Sequence, residues 1–178
     1  VMINKLLDIL FPPKRAFCGN ILLKKLPVCD SCMEKLPFIE GKACNICGRP
    51  LEEFSYDLCN RCHRVKRYYE HSFVPLMYEG IAKKAVINLK HNQHPYYAKA
   101  LAFLIADKIL SSPHSINFDC VTCIAQSPFS KKSRGYNQSE LIAKELARLL
   151  KIPFIKTLKR NNEGTRQATL NAKERREN

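Results

Sequence analysis

Cys44-Asn-Ile-Cys47-Gly48 and, with eleven residues between Cys47 and Cys59, Cys59-Asn-Arg-Cys62 decide what the N-terminal part of this chain is. A two-residue gap lets both sulfurs of a tight turn point at one centre, and two such turns close a tetrahedron around zinc. Gly48 sits just past the first pair, where a positive φ lets backbone amides face the thiolates. The quartet reads as a structural zinc ribbon.

The same pattern begins upstream and is left incomplete. Cys29-Asp-Ser-Cys32 is one knuckle, but its partner reads Arg15-Ala-Phe-Cys18-Gly19, with Arg15 where a fourth cysteine would stand. Three thiolates and an open position are one way to build a catalytic metal site. No nearby histidine or carboxylate is placed to activate a water, so we expect a second ribbon that has lost a ligand and binds zinc weakly or not at all. Spacing alone leaves open a pairing that interleaves the two sets.

Disulfides are the competing account of nine cysteines, seven of them in the first 62 residues. Residues 3–11 are apolar at Ile3, Leu6, Leu7, Leu10 and Phe11, interrupted by Lys5 and Asp8, and they end at Pro12-Pro13 with no small-residue cleavage site. That is the stripe of a short helix packed on the ribbon rather than a signal peptide. No run approaches the roughly 20 apolar residues of a membrane span. The expectation is a cytoplasmic protein with reduced, metal-bound thiols and no transmembrane segment.

The formal charge is +14 over 178 residues, and it is unevenly placed. Residues 1–62 carry nine Lys/Arg against seven Asp/Glu, residues 63–127 eight against four, and residues 128–178 thirteen against five. A four-thiolate zinc centre subtracts about two charges, so the basic surface belongs to the C-terminal part. It suits phosphate groups on a nucleic acid or a small ligand. The alternative is a solvated face with no ligand.

Beyond the ribbons, His63 to Arg67 reads as a linker, and Ser72 to Tyr78 as a short edge strand because of Pro75. Glu79 to His91 and Tyr97 to Leu110 read as helices, the second with Leu101, Leu104, Ile105 and Ile109 on one face. Phe118 to Ala125 has the apolar run of a strand covered on both faces. Asn137 to Lys151 is the clearest helix, with Asn137 as cap, Glu140 at the third helical position and Ile142, Leu146, Leu149 and Leu150 as the buried stripe. Ile152 to Leu158 returns as a strand, and strand–helix–strand with this connection implies a parallel α/β sheet. Cys120 and Cys123 also fit the two-residue gap, but on a strand they face opposite ways and are expected to be core cysteines. The chain is thus expected to divide into a ribbon module, 1–65, and an α/β domain, 66–178.

Between the Cys123 strand and the long helix runs Gln126-Ser-Pro-Phe-Ser-Lys-Lys-Ser-Arg-Gly-Tyr-Asn-Gln-Ser-Glu140. It follows the C-terminal end of a parallel strand, where open α/β sheets bind ligands. It carries Ser127, Ser130, Lys131, Lys132 and Arg134, then Gly135 for close backbone approach, and leads into a helix N-terminus that favours negative charge. Phe129 and Tyr136 stand beside this charge, where rings can stack bases; for Tyr136 ordinary packing is the stronger expectation.

Arg134-Gly-Tyr-Asn-Gln-Ser-Glu-Leu141 resembles the Arg-Gly-Phe/Tyr-Asn-Gln motif of the competence protein F family (the ComF/ComFC/GntX-like group). The resemblance takes in Leu10-Phe-Pro-Pro13, the cysteine ladder, Tyr78-Glu-Gly80, Leu89-Lys-His91, Phe118-Asp119 and the tail Thr165-Arg-Gln167 … Leu170 … Arg175-Arg-Glu-Asn178. It implies a double zinc ribbon joined to a type I phosphoribosyltransferase-like domain. It places Gln126, Ser127, Ser130, Lys131, Lys132, Arg134, Gly135, Asn137 and Gln138 at a phosphate or nucleic-acid site. It puts Arg160, Arg166, Gln167 and Arg175 on a flexible loop covering that site.

The resemblance further implies DNA uptake in natural transformation, acting on incoming single strands at the cytoplasmic side with other competence or DNA-translocation proteins as partners. Three departures stand against it. Arg15 replaces a zinc ligand. The family's Pro-Val-Pro reads Cys123-Ile-Ala125, and the chain stops at Asn178 with no Asp-Asp pair. The family's acidic Thr-Thr-Gly loop, which holds phosphoribosyl pyrophosphate and magnesium, would have to be supplied for turnover, so enzyme activity is left undecided. Zinc is the expected cofactor. A phosphoribosyltransferase with an unknown acceptor, and a truncated inactive relative, are the alternatives to the DNA-handling role.

Overall fold

The computed structural model describes residues 14–21, 26–52, 56–92, 94–112, 117–127, 135–160, 170–171 and 173–174. The apolar stretch 3–11, Phe129, Ser130, Lys131, Lys132, Arg134, Arg166, Gln167 and Arg175 lie outside these residues. Five helices follow in chain order among the described residues: α1, Asp30–Met33; α2, Asn60–Arg64; α3, Gly80–His91; α4, Tyr97–Leu110; and α5, Gln138–Leu150.

The N-terminal part is one turn architecture used twice. An antiparallel bridge joins Lys14 to Ile21, and another joins Ala43 to Pro50. Inside the first, Arg15 N donates to Asn20 O at 2.7 Å and Gly19 N to Arg15 O at 3.0 Å. Inside the second, Cys44 N donates to Arg49 O and Gly48 N to Cys44 O, both at 2.8 Å. The short helices α1 and α2 each start one residue after a cysteine, Cys29 and Cys59, which stand as their N-caps. The stretch expected to be a linker is partly helical. α2 runs to Arg64 because the knuckle supplies its first turn, with His63 N bonded to Cys59 O at 3.0 Å.

One hydrophobic cluster draws on the first ribbon and on the helices. Ala16, Val28, Cys32 and Leu36 from the first ribbon are buried together with Ala82, Ala85 and Leu89 of α3 and Tyr97, Ala98, Ala100 and Leu104 of α4. Phe17 meets Tyr97 edge to face at 6.5 Å. The second ribbon has only a small cluster of its own, Cys44, Cys59 and Cys62 with Ile46, Cys47, Leu51 and Leu58 around them. That is too little apolar area to hold a fold without metal.

The helices start and stop where the sequence expects them. α3 begins after Glu79, α4 covers Tyr97–Leu110, and α5 is capped by Asn137, whose side chain accepts from Ser139 N at 3.0 Å. The stripe on α5 differs. Ala143 and Ala147 are buried, whereas Ile142, Leu146, Leu149 and Leu150 are half-buried. α5 packs chiefly on α4, which itself buries Ala98, Ala100, Ala102 and Ala106. Small side chains let the two helices approach closely, and the larger ones are left flanking the contact. α5 ends at Lys151, a non-glycine residue with φ of 57°.

The parallel sheet expected from the sequence is reduced, among the described residues, to a single parallel bridge between Val121 and Phe154. Val121 N donates to Pro153 O and Ile155 N to Val121 O, both at 2.9 Å. The pairing then passes from backbone to side chains: Thr122 Oγ1 lies 2.9 Å from Thr157 Oγ1 and accepts from Thr157 N at 3.5 Å. A hydroxyl that takes an amide in this way ends the ladder. The 72–78 segment is likewise extended rather than a strand, touching the first ribbon at the antiparallel bridge Phe38–Leu76. Ile39 N to Pro75 O at 3.0 Å and Met77 N to Pro37 O at 2.8 Å fix that junction. Of the two cysteines placed in the core, Cys123 is buried and Cys120 half-buried.

Candidate metal centres and the loop before the last helix

The sulfurs of Cys44, Cys47, Cys59 and Cys62 all lie within 4.8 Å of one another. Zinc–sulfur bonds of about 2.3 Å in a tetrahedron put sulfurs about 3.8 Å apart, and Cys47 Sγ and Cys59 Sγ stand at 3.7 Å. The amide of Cys59 points at Cys44 Sγ at 3.4 Å. Burial raises the Cys44 thiol, but backbone N–H groups of Cys47, Cys59 and Ile46 outweigh it and bring the group down to about 6. For Cys47, burial dominates and pushes the thiol up to about 11. Such a set cannot hold four thiolates unaided; a divalent cation is what displaces the remaining protons.

Cys18, Cys29 and Cys32 form the second group, their sulfurs also within 4.8 Å. Ser31 Oγ lies 3.3 Å from Cys29 Sγ and is the first cause of its fall to about 6, whereas burial drives Cys32 up to about 12. Cys18 is exposed and 4.0 Å from Cys29. The residues in both groups therefore fit zinc by donor type and spacing. The two sets do not interleave: each gathers within its own ribbon. What zinc supplies to a four-thiolate site is cohesion, on the order of 10–16 kcal/mol in comparable peptides.

The residues expected at the phosphate site divide between those described and those outside. Asn137 closes the base of the loop, since its Nδ2 donates to Ile124 O at 3.0 Å while its Oδ1 caps α5. Gln126 has both side-chain polar atoms buried without a hydrogen-bond partner among the described residues. Ser127 and Gln138 are half-buried, and Gly135 and Arg160 exposed. Gly135 has φ of 80° with nothing within 4 Å of where a Cβ would stand, so a turn conformation is what uses it there. Tyr136 is packed: its hydroxyl donates to Leu89 O at 2.6 Å, at the C-terminal turn of α3 where carbonyls lack helical partners.

One arrangement was missed by sequence reading. His94, Tyr96 and Tyr97 cluster, with the tyrosine rings stacked at 4.8 Å. Tyr97 Oη accepts from Asn88 Nδ2 at 2.9 Å. Two adjacent tyrosines after a His-Pro turn were the available signal.

No helix among the described residues is long and apolar enough to cross a membrane. A family described as double zinc ribbon domain matches residues 6–63. Competence protein F of Haemophilus influenzae (strain ATCC 51907 / DSM 11121 / KW20 / Rd) is 24% identical over 164 residues, covering 90% of this chain and 70% of that protein. No solved structure matches the chain. One ribbon turn is used twice with thiols gathered in both copies, so the chain carries a double zinc ribbon, and its likeness to competence protein F runs on through the helices.

Proposed function

We propose that the chain is a cytoplasmic zinc-binding factor that handles single-stranded DNA in natural transformation, with other competence or DNA-translocation proteins as partners. The observation that carries this reading is the anchoring of the 125–136 loop. One end follows the parallel Val121–Phe154 bridge, and the other is latched by Asn137 to Ile124 and runs straight into capped α5. In sequence that loop holds Ser130, Lys131, Lys132 and Arg134, in a chain of net charge +14. Cations this close in sequence to a helix N-terminus suit phosphate whatever the base, as a strand of arbitrary sequence requires. The kinship with competence protein F supplies the biological setting.

The test is alanine at Lys131, Lys132 and Arg134 together. Loss of three phosphate contacts lowers the dependence of log affinity on log salt by about 2 for a single strand. Unchanged binding by the triple variant would remove the loop from the account.

A phosphoribosyltransferase reading draws on the same loop, and Gln126 favours it. Its side-chain amide has no hydrogen-bond partner among the described residues, a costly state that a bound pyrophosphate or its magnesium would relieve. Pyrophosphate release from phosphoribosyl pyrophosphate is its assay.

A further inference from the structure

The two ribbons are built on one plan, and they differ at one corner. Arg15 and Cys44 hold the same place: each opens a bridge-closed turn and accepts, through its carbonyl, from a glycine with positive φ, Gly19 at 72° and Gly48 at 68°. The second knuckles correspond as well, Cys29 and Cys32 on α1 to Cys59 and Cys62 on α2. The backbone of the first ribbon thus retains its four-ligand form, with a guanidinium residue where the fourth thiol belongs.

We propose that the Cys18–Cys29–Cys32 group is a three-thiolate zinc site whose fourth corner takes an exchangeable ligand, water when nothing else is offered and a nitrogen or sulfur donor such as imidazole or a thiol when one is. This rests on the double-ribbon assignment and goes beyond it in giving the two centres different chemistry. Exposure supports the distinction. Cys18 is open to solvent, Cys29 half-buried and only Cys32 buried, whereas three of the four thiols in the other centre are buried. Closed four-thiolate centres are structural, and three-ligand centres leave a position for an incoming donor.

Charge supports it too. Zinc with four thiolates is a dianion and with three a monoanion, and Arg15 adds a positive charge in the same turn. Its Nε is buried without a hydrogen-bond partner among the described residues. A buried donor left in this way is costly, and negative charge close to the guanidinium offsets the cost. The loaded first centre provides that charge and leaves the turn neutral.

The full chain, loaded with zinc, is mixed with a chromophoric chelator, and the same chain loaded with cobalt(II) is titrated with imidazole. The proposal expects two metals per chain, one released at least tenfold faster than the other, and an imidazole-induced change in the visible spectrum of the fast-released metal alone. Cys18→Ser should abolish the fast phase and leave the slow one. Arg15→Cys should slow the fast phase to the rate of the other and remove the imidazole response. Two metals released at one rate with no response to imidazole, or a single slow metal, would overturn the proposal while leaving the zinc ribbon intact. A chain that takes up no metal would overturn the ribbon assignment itself.

Discussion

Gly48 and Val74 leave no space between them: a Cβ on the glycine would stand 2.6 Å from Val74 Cγ2 and 3.2 Å from the Ser72 carbonyl oxygen. The second ribbon is seated against the 72–74 segment at this point, next to the contact of His71 Nδ1 with Asn45 O at 3.1 Å. Gly19, the equivalent residue of the first ribbon, has nearly the same φ and meets nothing within 4 Å. The pair therefore separates backbone strain from crowding. Alanine at Gly19 is expected to cost about 1 kcal/mol for the left-handed conformation alone. Alanine at Gly48 should cost about 2–4 kcal/mol, because Val74 must also move. Thermal unfolding of the two zinc-loaded variants measures the difference, and equal costs would contradict this docking.

Metal removal should act locally. The apolar cluster of the second ribbon is built around its own ligands, whereas the first ribbon shares its core with α3 and α4. Cys59→Ser is expected to strip protection from residues 42–64 in hydrogen exchange while α3, α4 and α5 keep theirs. Loss of protection in all three helices would show that the metal holds the whole chain.

Tyr136 is expected to act in packing rather than in recognition. Its hydroxyl serves the Leu89 carbonyl, so Tyr136→Phe leaves that half-buried acceptor unpaired and should destabilise by about 1–2 kcal/mol. Single-strand affinity should remain within about twofold of the parent. A variant as stable as the parent would show that water replaces the hydroxyl.

Glu140 pairs with Lys144 on its own helix at 2.8 Å and joins α5 to the returning segment through Lys156 at 2.9 Å, and these two ammonium groups hold its carboxyl down to about 2. A carboxyl lowered in the fold stabilises it fully above the ordinary value of 4.5, and the contribution fades as pH falls through about 2. Exposed lysines keep the magnitude small, so Glu140→Gln should cost about 0.5–1 kcal/mol at pH 7. The gap between variant and parent should close as pH drops from 4.5 towards 2. A gap unchanged with pH would mean the loss is one of packing.

Sequence periodicity and caps were enough for α3, α4 and α5, because Asn92-Gln-His-Pro95 separates the first two and Asn137 opens the third. The four-cysteine group was plain, since ligand type and spacing are local properties, whereas spacing alone left the pairing of the three-cysteine group open. What local pattern does not carry is depth. The large residues of α5 carry the hydrophobic signal, yet Ala143 and Ala147 are the ones buried against a helix that is itself rich in alanine. Likewise an apolar run such as Phe118 to Ala125 declares β propensity without declaring a partner. The Thr122–Thr157 contact, which diverts the ladder, depends on register between segments 35 residues apart. The fused core of ribbon and helices was invisible for the same reason, as small residues like Ala16 and Ala85 give no sign of which element they face.

The central claim is that this zinc-ribbon protein grips the phosphates of single-stranded DNA. Titration of the zinc-loaded chain against a fluorescent single-stranded oligonucleotide at several salt concentrations tests it most directly. The account predicts micromolar or tighter binding at low salt, weakening steeply as salt rises, as counterion release from several neutralised phosphates requires. No binding at low salt, or binding indifferent to salt, would contradict it.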